Sequence, residues 1–374
     1  MGLIRFLLAY SVVNTHLGPI FGIKILPGET AVQCFFVISG FYMSMILGDK
    51  YPLNNQGIWT FYKNRWMRLM PTYWALLAVY VFYAFVLHGK TSYIPTNVFF
   101  NALSAGGVFV AAWVVFLNLF IVTQEIAFFR AFSADGSTYW TAHHTMEGFP
   151  VNKLFLISPA WSISLEMWFY MLAPFIAMRG WKTMLSICVA SLAIRFGLDH
   201  YGLHKDPWNF RFFPSEMLLF VGGMLMQRIY LKIAPRLTKG ICISVAAAAV
   251  ASLLFYFNSP FQVNDEGQDW FTISALGVAT PFVFWLTKSL KWDRAIGELS
   301  YPLYLCHMVL ALVMDPFKAQ WGEENFGIVV AASSIILSIG IHVFLERPVD
   351  RYRQSKIQKP EPEVPVKKYK KKYA

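Results

Sequence analysis

Charge is what this chain has least of. Only 14% of its 374 residues are Asp, Glu, Lys or Arg, against about 25% in soluble domains. It also lacks a long polar interval. The widest gap between its apolar runs is residues 123–160, too short for a separate soluble domain of ordinary size. Cysteine is sparse, and Cys34, Cys188, Cys242 and Cys306 all fall inside apolar runs. That excludes a disulfide framework and a cysteine-built zinc site. There is no Gly-rich phosphate loop, no G-x-S-x-G and no visible internal repeat.

What remains is apolar: 56% hydrophobic residues and a mean hydropathy of +0.46. The apolar residues gather in stretches at 3–21, 31–48, 66–88, 98–122, 161–178, 183–198, 213–231, 240–257, 270–287, 299–315 and 327–345. Such stretches approach the length that crosses a bilayer core of about 30 Å. The chain is therefore expected to be an all-α polytopic membrane protein. The first stretch has one basic residue ahead of it and no small-x-small cleavage site, so it reads as a retained span.

Basic residues orient the bundle. From Arg347 to the end there are ten Lys or Arg against three acids, which places the tail in the cytoplasm. This tail, 349–374, reads as a basic, disordered segment that either solubilises and fixes topology or touches anionic lipid. Nucleic acid is not an expected partner, because no folded module accompanies the charge. Lys288, Lys291 and Arg294, Lys232, Arg236 and Lys239, and Arg179 with Lys182 mark further inner turns. Arg5, Lys50, Lys63, Arg65 and Arg68 do the same at the N-terminal end. Both ends of 98–122 then fall outside. With Gly106 and Gly107 near its middle, it reads as a re-entrant or interfacial segment. The expectation is about ten transmembrane helices with both termini cytoplasmic.

Polar residues inside the runs form stripes. Arg5 and His16 are eleven residues apart, within about 20° of three full turns, so they share a helix face some 16 Å apart; Asn14 lies nearby. Such residues are costly in hydrocarbon and belong in a bundle interior or a water-filled cavity. In "FYKNRWMRLMPTYW", Arg65 and Arg68 are neighbours on one face, either snorkelling to the headgroups or clamping an anion such as phosphate. Ser162, Glu166 and Tyr170 form a second stripe. Glu166 is either a structural partner or a participant in proton transfer. Ser300, Tyr304 and His307 form a third. Glu346 reads as part of an interfacial salt bridge at a helix end. His143, His144 and Glu147 lack a third spaced ligand, so no metal site is expected.

In order along the chain stand Arg5 and His16, "FFVISGF", Arg65-x-x-Arg68 with Pro71 and Tyr73, "WSISLE" with Phe169-Tyr170, "SYPLYLCH", and Glu346-x-Pro348. Together these resemble the membrane-bound acyltransferase-3 family, in its stand-alone form, over residues 1–348. Ala31-Val32 replaces the Gly-Val that usually opens the second-span motif. The resemblance implies a bundle of about ten helices in a bacterial inner membrane. It implies transfer of an acyl group, commonly acetyl from acetyl-CoA, to a hydroxyl of an extracytoplasmic glycan or lipid-linked glycan, with no bound cofactor. His16 falls on the family's proposed catalytic histidine, Arg5 on its paired arginine, Arg65 and Arg68 on the donor-handling pair, and Glu166 on the acid of W-S-x-x-x-E. His16 then suits a general base, with Glu166 orienting or recharging it. Direct transfer and a transient acyl-histidine are both compatible with these residues. Asn14, Ser162, Tyr170, Ser300, Tyr304 and His307 are candidate lining residues, and 123–160 is the place to look for acceptor specificity. The alternative is a proton-coupled transporter or flippase with His16 and Glu166 in a polar pathway.

Overall fold

The computed structural model describes residues 1–20, 22, 26–86, 95–133, 137–142, 149–257 and 269–355. All eleven apolar runs fold as helices. They are α1 (Gly2–Leu17), α2 (Gly28–Asp49), α3 (Asn55–Val86), α4 (Pro95–Phe120), α5 (Trp161–Ala177), α6 (Trp181–His200), α7 (Phe213–Ile233), α8 (Lys239–Phe257), α9 (Trp270–Thr287), and, beyond the short α10 (Lys291–Glu298), α11 (Ser300–Met314). The last run follows the single turn α12 (Lys318–Trp321) as α13 (Glu323–Ile341). Among the described residues, eight helical segments are long and apolar enough to cross a membrane. The chain is a multi-pass membrane protein.

Hydropathy misses features that have nothing to do with lipid. Helix α3 begins at Asn55, well before its apolar run, because its polar opening turns continue the helix out of the hydrocarbon. Helix α4 is broken at Gly107, where φ is 71°, a conformation that residues with a Cβ rarely adopt. The break falls in the Gly-Gly step from which a re-entrant segment was expected, and the apolar half beyond it runs Gly107–Phe120. The segment 123–160 carries a small antiparallel sheet, with β1 (Arg130–Phe132) between β2 (Thr138–Trp140) and β3 (Phe149–Pro150). After α13 a π-turn, His342–Glu346, leads into α14 (Arg347–Ser355). Within it, Glu346 accepts from Thr72 (3.1 Å) and meets His342 Nδ1 (3.1 Å). Buried Arg353 donates to the Asn64 carbonyl, so the chain stays packed on α3 through the first residues assigned to the tail. Residues 356–374 lie outside the described residues, as do His143, His144 and Glu147. Among the described residues, no group of three or more His, Cys, Asp or Glu could hold a metal ion.

Two close backbone approaches set the bundle. Helix α2 packs on α1, α5, α7 and α9. Against α7 it uses reciprocal glycines: a Cβ on Gly40 would lie 1.8 Å from the Phe220 carbonyl oxygen, and one on Gly223 would lie 2.0 Å from that of Val37. Small residues at such crossings let helices approach in a solvent that offers no hydrophobic drive between them. The second approach is the docking of α1 on α10. The Asp293 carboxylate accepts from the backbone N–H groups of Gly2 (2.7 Å) and Leu3 (2.9 Å).

The turn Gln124–Phe129 is pinned to α5 through Glu125, which accepts from Ser164 and from Trp168 Nε1 (2.7 Å). Burial pushes the Glu125 carboxyl above its usual range, against those two hydrogen bonds. A raised carboxyl contributes stability that is full at low pH and is lost as pH rises through its folded pKa.

Two tests follow from this packing. Gly223→Ala should destabilise the detergent-purified protein by about 1–3 kcal/mol, as for other overpacked sites. Gly222→Ala, with nothing within 4 Å of its added Cβ, should leave the melting temperature in place; equal losses in the two would refute the packing account. For Glu125, the fall in melting temperature as pH rises above the usual carboxyl range should be shallower in Glu125→Gln than in wild type. Superimposable pH profiles would show that the carboxyl is not held as described.

Candidate active site

Residues of α1, α2, α3, α5, α9, α10 and α11 line a cavity of about 380 Å³. Its lining includes six basic residues, Arg5, Lys50, Arg65, Arg68, Lys288 and Arg294, and three acidic ones, Glu166, Asp293 and Glu298. The acids are engaged. Asp293 holds the start of α1, and Glu298 lies 3.8 Å from Arg68 Nη2. Glu166 accepts from the Ser39 and Tyr170 hydroxyls. Arg65 is buried, its guanidinium 5.7 Å from the ring centroids of both Phe61 and Tyr170. Its Nε has no hydrogen-bond partner among the described residues. A buried, under-satisfied guanidinium beside a cavity is costly unless a ligand completes it.

The cavity lining also holds a hydroxyl pair. Ser162 Oγ and Tyr304 Oη are 2.7 Å apart, and both reach the Pro159 carbonyl. One turn further along α11, the Tyr304 and His307 rings are 6.4 Å apart. His307 is fully buried and stacks on His16, with centroids 5.2 Å apart and planes 20° apart. His16 Nδ1 lies 3.0 Å from His307 Nε2. His16 itself is exposed, at the end of α1.

The hydrogen bonds assign the tautomers. His307 Nδ1 faces the Leu303 carbonyl at 3.4 Å, and a carbonyl only accepts, so Nδ1 carries the proton of a neutral His307. Its Nε2 then accepts, and His16 Nδ1 donates. That leaves His16 Nε2 with a free lone pair, the form a general base needs.

Eight of the eleven residues singled out in the sequence line one cavity: Arg5, Arg65, Arg68, Ser162, Glu166, Tyr170, Ser300 and Tyr304. His16 and His307 do not line it but form a pair that adjoins its Tyr304. Asn14 is buried on α1 and does not line the cavity. The hydrogen bonds place Glu166 with Ser39 and Tyr170, while the ring partner of His16 is His307. Lys288, Asp293, Arg294 and Glu298 were not read as site residues, because hydropathy assigns them to an inter-helix loop. The alternation in "KWDRAIGE" carries the missed signal, since α10 is an amphipathic helix that folds beneath the cavity.

The model of the family described as "Acyltransferase domain" (acyltransferase 3) matches residues 1–347. The exopolysaccharide production protein ExoZ of Rhizobium meliloti (strain 1021) is 24% identical over 335 residues, covering 87% of this chain and 90% of that protein. A protein of Aquifex aeolicus (strain VF5) titled "Uncharacterized protein" is 25% identical over 169 residues, 42% of this chain and 72% of its own length. No solved structure gives a significant match. With the family model covering nearly all of the chain, the chain belongs to the membrane-bound acyltransferase-3 family.

Proposed function

We propose that this protein is an O-acyltransferase that moves an acetyl group from acetyl-CoA to a hydroxyl of an extracytoplasmic glycan, a surface polysaccharide or its lipid-linked precursor. The observation that carries this reading is one cavity lined by a cluster of cations and by a hydroxyl pair that adjoins two hydrogen-bonded histidines. In the orientation with basic turns inside, the cations face the cytoplasm of a bacterial cell and His16 faces outward. Residues 1–348 form the transmembrane catalytic domain, and the rest of the basic tail is cytoplasmic.

The phosphates of CoA suit Arg5, Arg65, Arg68, Lys288 and Arg294, guanidinium forks and ammonium groups that pair with phosphate oxygens. The pantetheine arm runs along Phe35, Tyr42 and Tyr301 and brings the thioester carbonyl to the Ser162 and Tyr304 hydroxyls. An acceptor hydroxyl approaching from outside gives its proton to His16 Nε2 as its oxygen bonds to the carbonyl carbon. The carbon–sulfur bond then breaks, and the proton on His16 goes to the departing CoA thiolate. The products are the ester and CoA. His307 acts through His16, holding its tautomer and ring orientation, and Glu166 orders the cavity wall between Ser39 and Tyr170. The rival transporter reading needs no covalent transfer, and this separates the two.

The test is transfer of label from acetyl-CoA to glycan in membranes holding matched amounts of each variant. His16→Ala should lower transfer by about 10²–10⁴-fold, the usual worth of a general base. His307→Gln, whose amide oxygen can still accept from His16, should retain more activity than His307→Leu, with the KM for acetyl-CoA unchanged in both. Wild-type membranes that move glycan across the bilayer without labelling it would overturn the reading in favour of transport.

For the donor end, Arg65→Gln should weaken acetyl-CoA binding by about tenfold or more, as expected for a lost hydrogen bond to a charged group. It should do so without moving the KM for the acceptor. An unchanged affinity would remove Arg65 from the donor site.

A further inference from the structure

The outward end of the site contains charged groups that donor handling does not use. Helix α2 begins against Thr15, the residue before His16: a Cβ on Gly28 would lie 3.1 Å from Thr15 Oγ1. The next residue, Glu29, is half-buried in the first turn of α2 and makes no hydrogen bond to another described residue. Asp206 and Arg211, from the loop between α6 and α7, stand within electrostatic range of Glu29. Arg211 Nε donates to Asp206 Oδ1 (2.7 Å). The guanidinium is clamped by three rings, its Cζ 3.8 Å from the centroid of Phe128, 4.0 Å from Trp161 and 4.4 Å from Phe210. Trp161 immediately precedes Ser162, whose hydroxyl meets Tyr304, so this cluster adjoins the same hydroxyl pair that lines the donor cavity.

We propose that Glu29, Asp206 and Arg211 form the acceptor subsite, and that it takes a neutral sugar through a pair of neighbouring hydroxyls. This rests on the acyltransferase reading and adds a substrate class to it. The charge balance carries the choice of a neutral sugar. Arg211 is already matched by Asp206, and Glu29 adds a further negative group, so the cluster has no surplus positive charge for a carboxylate or phosphate on the acceptor. Carboxylates accept from sugar hydroxyls and a guanidinium donates to them, and planar groups held rigidly do both at fixed spacing. The three rings preorganise Arg211, so little side-chain entropy is lost on binding. Holding one hydroxyl of the pair on Glu29 and Arg211 leaves its neighbour to face His16.

The test is saccharide binding to the full-length protein in lipid nanodiscs, read by calorimetry. The probes are neutral tetrasaccharides of glucose, galactose and mannose, with tetragalacturonate as the acidic comparator. At least one neutral probe should bind wild type better than tetragalacturonate does. Glu29→Gln and Arg211→Lys should each weaken it by about tenfold or more, with acetyl-CoA affinity unchanged in both and the melting temperature unchanged in Glu29→Gln, which makes no hydrogen bond to another described residue. Three results would overturn the proposal: no neutral probe binds, tetragalacturonate binds best, or binding survives both substitutions. Acetyl transfer is not needed for this readout, so failure of the acyltransferase reading would appear separately, as an absence of label transfer from acetyl-CoA.

Discussion

A charged or strongly polar side chain in hydrocarbon is tolerated only where it turns inward to a partner or to water, and this bundle is arranged around that requirement. Arg5, Arg65, Arg68, Glu166 and Glu298 sit on four separate helices and all line one cavity. None of these helices could carry its polar stripe alone in lipid. Convergence therefore serves stability and chemistry together. The arrangement that hides the charges also concentrates guanidinium groups where, on the proposed reading, a phosphorylated donor is held.

Convergence of that kind needs helices that approach closely, and α2 meets the need with its two faces. Gly40 lets its backbone reach the Phe220 carbonyl of α7. Phe35, Ser39 and Tyr42 line the cavity. Ser39 also donates to Glu166 of α5, so the close α2–α7 crossing and the cavity wall are parts of one rigid element. At the basic end, Asp293 fixes the start of α1 through backbone N–H groups. That leaves Arg5, one turn along, to face the cavity.

Much of this was legible in the sequence because it depends on local periodicity. The three-turn spacing of Arg5 and His16, the Arg65-x-x-Arg68 pair and the Ser162, Glu166, Tyr170 stripe each follow from helix geometry, and the apolar runs located their helices. Contacts between helices were not legible. Nothing in the line of letters says that Glu166 meets Ser39, or that His307 rather than Glu166 lies against His16. Hydropathy also concealed α10, whose eight residues look like a charged loop until their amphipathic alternation is weighed. The small sheet around Arg130–Phe132 escaped for a related reason: its strands are two or three residues long, below any pattern that alternation can establish.

The two ends of the site differ in charge as well as in exposure, and the difference bears on how the reaction is ordered. The inner cavity has twice as many basic as acidic lining residues, and its acids are tied to Arg68, to backbone N–H groups or to hydroxyls. In the proposed acceptor subsite Arg211 is balanced by Asp206 and Glu29. On that reading a polyanionic donor is attracted to the cavity and finds no comparable field at the subsite, while a neutral acceptor loses nothing by entering where Glu29 and Asp206 stand. On the proposed reading, this gradient together with the Ser162–Tyr304 pair confines nucleotide and sugar to opposite approaches. The reactive carbonyl is the part of the donor that has to reach His16.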